Sequence, residues 1–326
     1  MPTIPAEPGT QALESRNPLT MRGLKRAGRN LLTMGFLVSG LSIVFVVSGY
    51  VVPPYLFIIA VALPIAGMAF LVADRVDRRF WSAYILVFVV FTYLRALADL
   101  TPFPIGWEYV ISLDSLLFFG EIPTLWMQAQ FYRLGSPSVW DYYSVLIHFT
   151  YFFLPHLFAF GIWRRDRRLF HRYAAAAIAT YYAALLACFI LPTAPPWLAG
   201  QTERLPHVYR VVEDLLKGYT PAAYDYAYSV AGTNAVAAMP SLHMAIACVI
   251  AFASSRIGPA AGALGWGYAA SMGLVLVYTG EHYAVDLLAG IALAAICWKA
   301  AGAWLCGWLA KRVASISAPP GYGKKP

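Results

Sequence analysis

Apolar residues gather into eight runs along the chain, at about 31–52, 54–73, 80–98, 140–163, 173–191, 241–256, 260–280 and 284–309. A helix needs roughly 17–25 mainly apolar residues to cross a bilayer, so each run predicts a transmembrane helix, the sixth being the shortest. Helices satisfy their own backbone hydrogen bonds in lipid. The pattern therefore predicts an all-α fold, a polytopic integral membrane helix bundle of about eight spans. Two long segments interrupt the runs, 100–139 and 192–239. In the first, "SLLFFGEIPTLWMQAQFYRLG" is too short and too polar in its middle to span, yet it spaces apolar residues helically after a Pro-Thr start. That predicts a helix lying in the membrane interface. At the exit of the fifth run, "FILPTAPPWLAG" is stiffened by three prolines and carries Trp197 at the depth of an aromatic belt. "HVYRVVEDLLKG" reads as a second short amphipathic helix, and the tyrosine-rich "GYTPAAYDYAYS" after it fits interfacial padding and a substrate wall equally well.

Composition agrees with the runs and charge orients them. The 326 residues are 60% hydrophobic and 12% charged, with a mean hydropathy of +0.61, outside the balance of soluble domains. Cations cluster before the first run (Arg16, Arg22, Lys25, Arg26, Arg29), after the second (Arg75, Arg78, Arg79), after the fourth ("RRDRRLFHR", 164–172), at the end of the sixth (Arg256) and at the C-terminus. With eight spans all of these fall on one side, which the positive-inside rule makes cytoplasmic together with both termini. The acidic residues Glu108, Asp114, Glu121, Asp141, Glu203, Glu213 and Asp214 fall on the other side. The net charge of +8 is thus topological. A nucleic-acid partner is excluded, because its footprint needs cations gathered on one folded face. The expected organisation is a partly disordered cytoplasmic tail at 1–30, a membrane domain at 31–310 that would carry any chemistry, and a cytoplasmic tail at 311–326. No cleavable leader is expected, since the first run exceeds a signal core and a second run follows it directly. All four cysteines lie in apolar runs, so neither a disulfide nor a cysteine metal site is expected.

Two polar groupings stand out against this background. In "AVAAMPSLHMAIACVI" (235–250), Pro240 suits the first position of a helix, and Ser241 and His243 would occupy its first turn, where free N–H groups favour an anion. In "YTGEHYAVDLLAG" (278–290), His282 and Asp286 are four residues apart, so on one helix they would share a face. Eight spans put His243, His282 and Asp286 on the same, non-cytoplasmic side. A histidine held by a carboxylate is a competent nucleophile or base, and a second histidine can supply a proton. The same three groups also suit a metal site or a proton relay in a transporter or carrier. Transporters place such groups near the midplane between repeats, whereas these cluster at one face. His148 and His156 read as core histidines before they read as site residues.

"AAMPSLHMA" followed by "YTGEHYAVDLLAG" resembles the two active-site stretches of the type 2 phosphatidic acid phosphatase superfamily, Pro-Ser-X-His and His-X-X-X-Asp. Leu242 and Tyr283, with "LPTAPPW" and "LRALAD", are similar to the branch that includes inositol phosphorylceramide synthase. The resemblance spans about residues 80–310. It implies that His282 attacks phosphorus, that Asp286 orients it, that His243 protonates the leaving oxygen and that Ser241 helps cradle phosphate. It also implies a lipid phosphate or phospholipid substrate, no metal and no cofactor; with the charge-derived orientation above, the expectation is a plasma-membrane enzyme whose site faces outside the cytoplasm. The chain departs from the phosphatase pattern in two ways. It has Leu276 where that pattern has an arginine six residues before the second histidine, and it lacks the Lys-X6-Arg-Pro stretch. Arg95, on one face with Asp99, is the candidate phosphate-binding cation in their place. A structural Arg95–Asp99 pair is the alternative.

Overall fold

The computed structural model describes residues 73–97, 101–219 and 235–317, and the regular structure within them is helical. The first two predicted spans, the N-terminal tail, the last nine residues and most of the tyrosine-rich stretch lie outside the described residues. Helix α1 (Arg75–Leu97) covers the third predicted span. The interfacial segment forms two helices where one was expected, α2 (Glu108–Leu117) and α3 (Pro123–Phe131). The chain between them turns through positive φ at Phe119 (56°) and Gly120 (99°), and Pro123 then opens α3 without needing an N–H partner.

The fourth apolar run is not one straight helix. It is split into α4 (Val139–Thr150) and α5 (Leu154–Arg165), bent by 56°. Pro155 in the first turn of α5 lacks the N–H that would continue the ladder of α4, and its ring clashes with the preceding turn. Then follow α6 (Arg167–Ile190), α7 (Pro196–Gln201), α8 (Val211–Tyr219), α9 (Leu242–Ile257), α10 (Pro259–Tyr278) and α11 (Ala284–Ser317). Among the described residues α6, α10 and the first 24 residues of α11 are long and apolar enough to cross a membrane, and the bent pair adds a fourth if it counts as one span. Helix α9, with 16 residues, is a shorter apolar helix.

Helix α9 is the hub, packing against α5, α6, α10 and α11. Residues Met244 to Ala251 are all buried, as expected of a helix that is apolar all round. Helix α10 approaches it through small residues: a Cβ on Gly265 would lie 2.8 Å from Ser254 Cβ and 3.0 Å from Ala251 Cα. Close approach of this kind supplies the van der Waals contact that holds helices together where lipid removes the hydrophobic drive.

The non-helical segments fasten one end of this bundle. Thr193 of "LPTAPPW" donates its N–H to Val236 O (2.7 Å) and accepts from Ala238 N (3.1 Å), aligning the approach to α9. Gln128 of α3 donates from Nε2 to both Tyr209 O and Tyr278 O (2.8 Å each) and accepts from Tyr209 N (2.9 Å), tying the entry to α8 onto the end of α10. Tyr278 donates its hydroxyl to Asp141, whose carboxylate also closes the capping box of α4 with Ser138. These ties set α4, α8 and α10 in register at that end.

Candidate functional site

The two polar groupings meet backbone to backbone. Ser241 donates its N–H to Asp286 O (3.0 Å), and a Cβ on Gly290 would stand 2.5 Å from Ser241 O, so α11 reaches α9 this closely only with glycine there. Ser241 is the N-cap of α9, its hydroxyl oxygen accepting from Met244 N (3.3 Å). Pro240 therefore precedes the cap and is not the first helical residue. Ser241 is wholly buried, and its own O–H proton is left to donate.

His282 also differs in placement from the expectation. Helix α11 starts at Ala284, so His282 precedes the helix and reaches Asp286 across its first turn. A hook at the end of α10 delivers it: Gly280 has φ 78°, a Cβ there would lie 2.8 Å from Tyr209 O, and Leu276 O accepts from the N–H groups of both Glu281 and His282 (3.2 Å each). His282 Nδ1 stands 3.5 Å from Asp286 Oδ2, a long contact of the sort that tightens when substrate binds. The same Asp286 oxygen accepts from Tyr283 N (2.9 Å), which fixes the carboxylate. The His243 and His282 rings lie 5.7 Å apart, inclined at 64°. His243, His282, Asp286 and Ser241 thus come together at one end of the bundle.

Three further groups join them that the sequence reading did not assign to the site. The break between α4 and α5 lies against His243, with the Tyr151 ring at 4.1 Å, Phe152 at 6.4 Å and His148 at 4.9 Å. His148 is buried, and its Nδ1 has no hydrogen-bond partner among the described residues. His156, by contrast, is a core histidine, sharing a 3.0 Å hydrogen bond with the Tyr84 hydroxyl and packing on Phe88. Pro155, not used in reading the fourth run, is the signal that could have shown the break and with it His148.

The second group is Asp114 of α2. It is fully buried, accepts from Val285 N at 2.9 Å and so caps α11, and its other oxygen has no partner among the described residues. Burial pushes its carboxyl up to about 6, with the Asp286 charge adding to the shift and the Val285 and Ala284 N–H groups opposing it.

Arg210 is the third. It donates to Glu281 (Nε to Oε1, 2.9 Å) and Glu213 (3.3 Å), and its guanidinium lies 4.3 Å over the Trp197 ring. Glu281 adjoins His282 in sequence. Burial raises its carboxyl, but the Arg210 charge and hydrogen bond, together with the His148 and His282 charges, outweigh that and hold it below its ordinary value. Arg95 is half-buried and lines a small pocket with Tyr151, Phe152 and His156, on the His243 side of the site. Asp99, its proposed partner, lies outside the described residues. No group of three or more His, Cys, Asp or Glu among the described residues is arranged to hold a metal ion.

The family model of the PAP2 superfamily matches residues 108–300, a stretch containing Ser241, His243, His282, Asp286, His148, Asp114 and Arg210 but not Arg95. The chain belongs to the PAP2 superfamily. Neither the curated proteins nor the solved structures yield a match to it. PAP2 membership points to phosphatase or phosphoryl-transfer chemistry on a lipid phosphate in a membrane setting.

Proposed function

We propose that this PAP2 protein is a membrane lipid phosphotransferase or lipid phosphate phosphatase working through a phosphohistidine on His282, with its site on the outer face of the plasma membrane. The observation that carries the reading is His282 set between the Asp286 carboxylate and the His243 ring. With Nδ1 turned to Asp286, Nε2 is the free nitrogen. It attacks phosphorus, the bond from phosphorus to the lipid oxygen breaks, and His243 gives that oxygen a proton. An acceptor hydroxyl then attacks the phosphohistidine, losing its proton to His243, and His282 is regenerated. Asp286 holds the tautomer and stabilises the imidazolium that forms. The open N–H groups at the start of α9, the Ser241 hydroxyl and Arg95 form the phosphate cradle, with Arg210 as a second cation beside it.

The Leu242 and Tyr283 matches favour the inositol phosphorylceramide synthase-like branch, in which an alcohol rather than water accepts the phosphoryl group. Purified protein incubated with a panel of lipid phosphates, with and without alcohol acceptors, tests this. Release of inorganic phosphate alone marks a phosphatase, and a new phospholipid marks a transferase. Activity should survive chelators and fall with vanadate, which mimics pentacoordinate phosphorus. Loss in chelator with rescue by a divalent cation would overturn the phosphohistidine mechanism.

A further inference from the structure

The opposite end of α9 carries a second feature that the proposed reaction does not use. Where α5 ends, α6 begins and α9 ends, a recess of about 440 Å3 is lined by Arg165, Arg167, Arg168 and Arg256, with Asp166 and Ile162 among the remaining walls. His243 and Arg256 are both on α9, so at 1.5 Å per residue the recess lies roughly 20 Å from the histidines.

The cations there are not equivalent. Arg167 is committed, paired with Asp77 at 2.5 Å and stacked 4.2 Å over Trp163. Asp166 is committed too, its Oδ1 accepting the N–H groups of Arg168 (2.8 Å) and Leu169 (3.0 Å) as the cap of α6. Arg165, Arg168 and Arg256 have no carboxylate partner among the described residues, yet they share one cavity. All three are exposed on its walls, so an anion seated in the recess would meet three cations at once. Guanidinium also matches phosphate oxygens two at a time.

Size and depth narrow the ligand. The cavity falls in the range of sites for small organic molecules, roughly 300–1,000 Å3, larger than a bare phosphate needs. Helix α6 has 24 residues, hence a length of about 36 Å, so its first turn stands at headgroup level beside a hydrocarbon core of about 30 Å. We infer that the Arg165–Arg168–Arg256 recess binds a phosphate-bearing anion, presented as the headgroup of an anionic phospholipid. In the orientation proposed above this is the cytoplasmic leaflet, where anionic lipids concentrate.

The test uses the full chain in detergent, with phosphatidylglycerol as the probe and native mass spectrometry counting retained lipid. The wild type should keep phosphatidylglycerol through washing and not phosphatidylcholine. The triple variant R165Q/R168Q/R256Q should bind it on the order of a hundredfold more weakly, as expected for three basic residues facing an anionic headgroup. Arg164 adjoins the recess without lining it, so R164Q should bind as the wild type does. A triple variant that retains the lipid, or an R164Q variant that loses as much as the triple, would overturn the site by showing diffuse charge instead. Soluble glycerophosphate distinguishes the sources. Its failure to displace the lipid supports headgroup recognition in the membrane, whereas displacement at equal affinity would make the ligand a free anion and overturn the lipid assignment.

Discussion

Two buried carboxylates bracket the first turn of α11 and do different work. Asp286 meets His282 and the Tyr283 N–H, while Asp114 meets the Val285 N–H from another helix. Asp286→Asn keeps the shape but offers His282 the wrong hydrogen-bond partner, so turnover should fall by roughly 10²- to 10⁴-fold with substrate binding little changed. An equal rate in the variant would remove Asp286 from the mechanism. Asp114 has a signature in stability. Its carboxyl is raised from 3.8 to about 6, so between those values the folded chain holds a proton that the unfolded chain has lost. The stability this contributes is present below about pH 4 and is lost as pH rises through about 6. Asp114→Asn still accepts the Val285 N–H, and it should flatten that part of the curve of thermal midpoint against pH, measured at one scan rate. An unchanged curve would assign the titration to another group. Asp114 was visible in the sequence only as one of several acidic residues, because its partner is 171 positions away.

At the scale of elements, helix-terminal geometry decides where the chemistry stands. Gly290 lets α11 lie against the cap of α9, and Gly280 lets the chain hook so that His282 comes back over the first turn. Gly290→Ala is favourable for an isolated helix but sets a Cβ 2.5 Å from a backbone oxygen. It should cost about 1–3 kcal/mol by overpacking and cut turnover by moving His282 away from His243, with helix content by circular dichroism unchanged. Full activity in that variant would mean the close approach does not set the site. The sequence shows that such elements exist better than it shows where they bend. Apolar runs marked the helices, since burial in lipid or protein demands them. A hydropathy run, though, does not register the 56° break in the fourth, where Pro155, passed over in reading the run as one span, would have been the better guide. Likewise the Pro-Thr start located α3 correctly, while α2, which lies before it, was not expected, because no proline or polar N-cap stands at its start to mark it.

Across the whole molecule, the site gathers residues from six stretches: α2, the α4–α5 break, the segment before α8, the start of α9, the hook after α10 and the first turn of α11. The last three announce themselves as two motifs because each motif packs its polar groups into a few consecutive residues. Arg210 and His148 do not, since their proximity is created by ties such as Gln128 to Tyr209 and Tyr278, and Tyr278 to Asp141. Orientation rests on the alternation of cationic loops, which makes a separate prediction. In a background where the exposed Cys306 is replaced, cysteines placed at Glu108 and Glu203 should react with an impermeant thiol reagent in intact cells. A cysteine at Arg167 should not. The reverse pattern would put the histidines on the cytoplasmic side.

The central claim is a covalent phosphoryl group on His282, and an activated aryl phosphate probes it most directly because its phenolate leaves without a proton. His243→Ala should take up label from that substrate and accumulate an acid-labile, base-stable phosphoenzyme, while failing on lipid phosphates by roughly 10²- to 10⁴-fold. His282→Ala should take up none from either. Label trapped in the His282 variant and absent from the His243 variant would reverse the two roles, and lipid turnover undiminished in both would contradict the account.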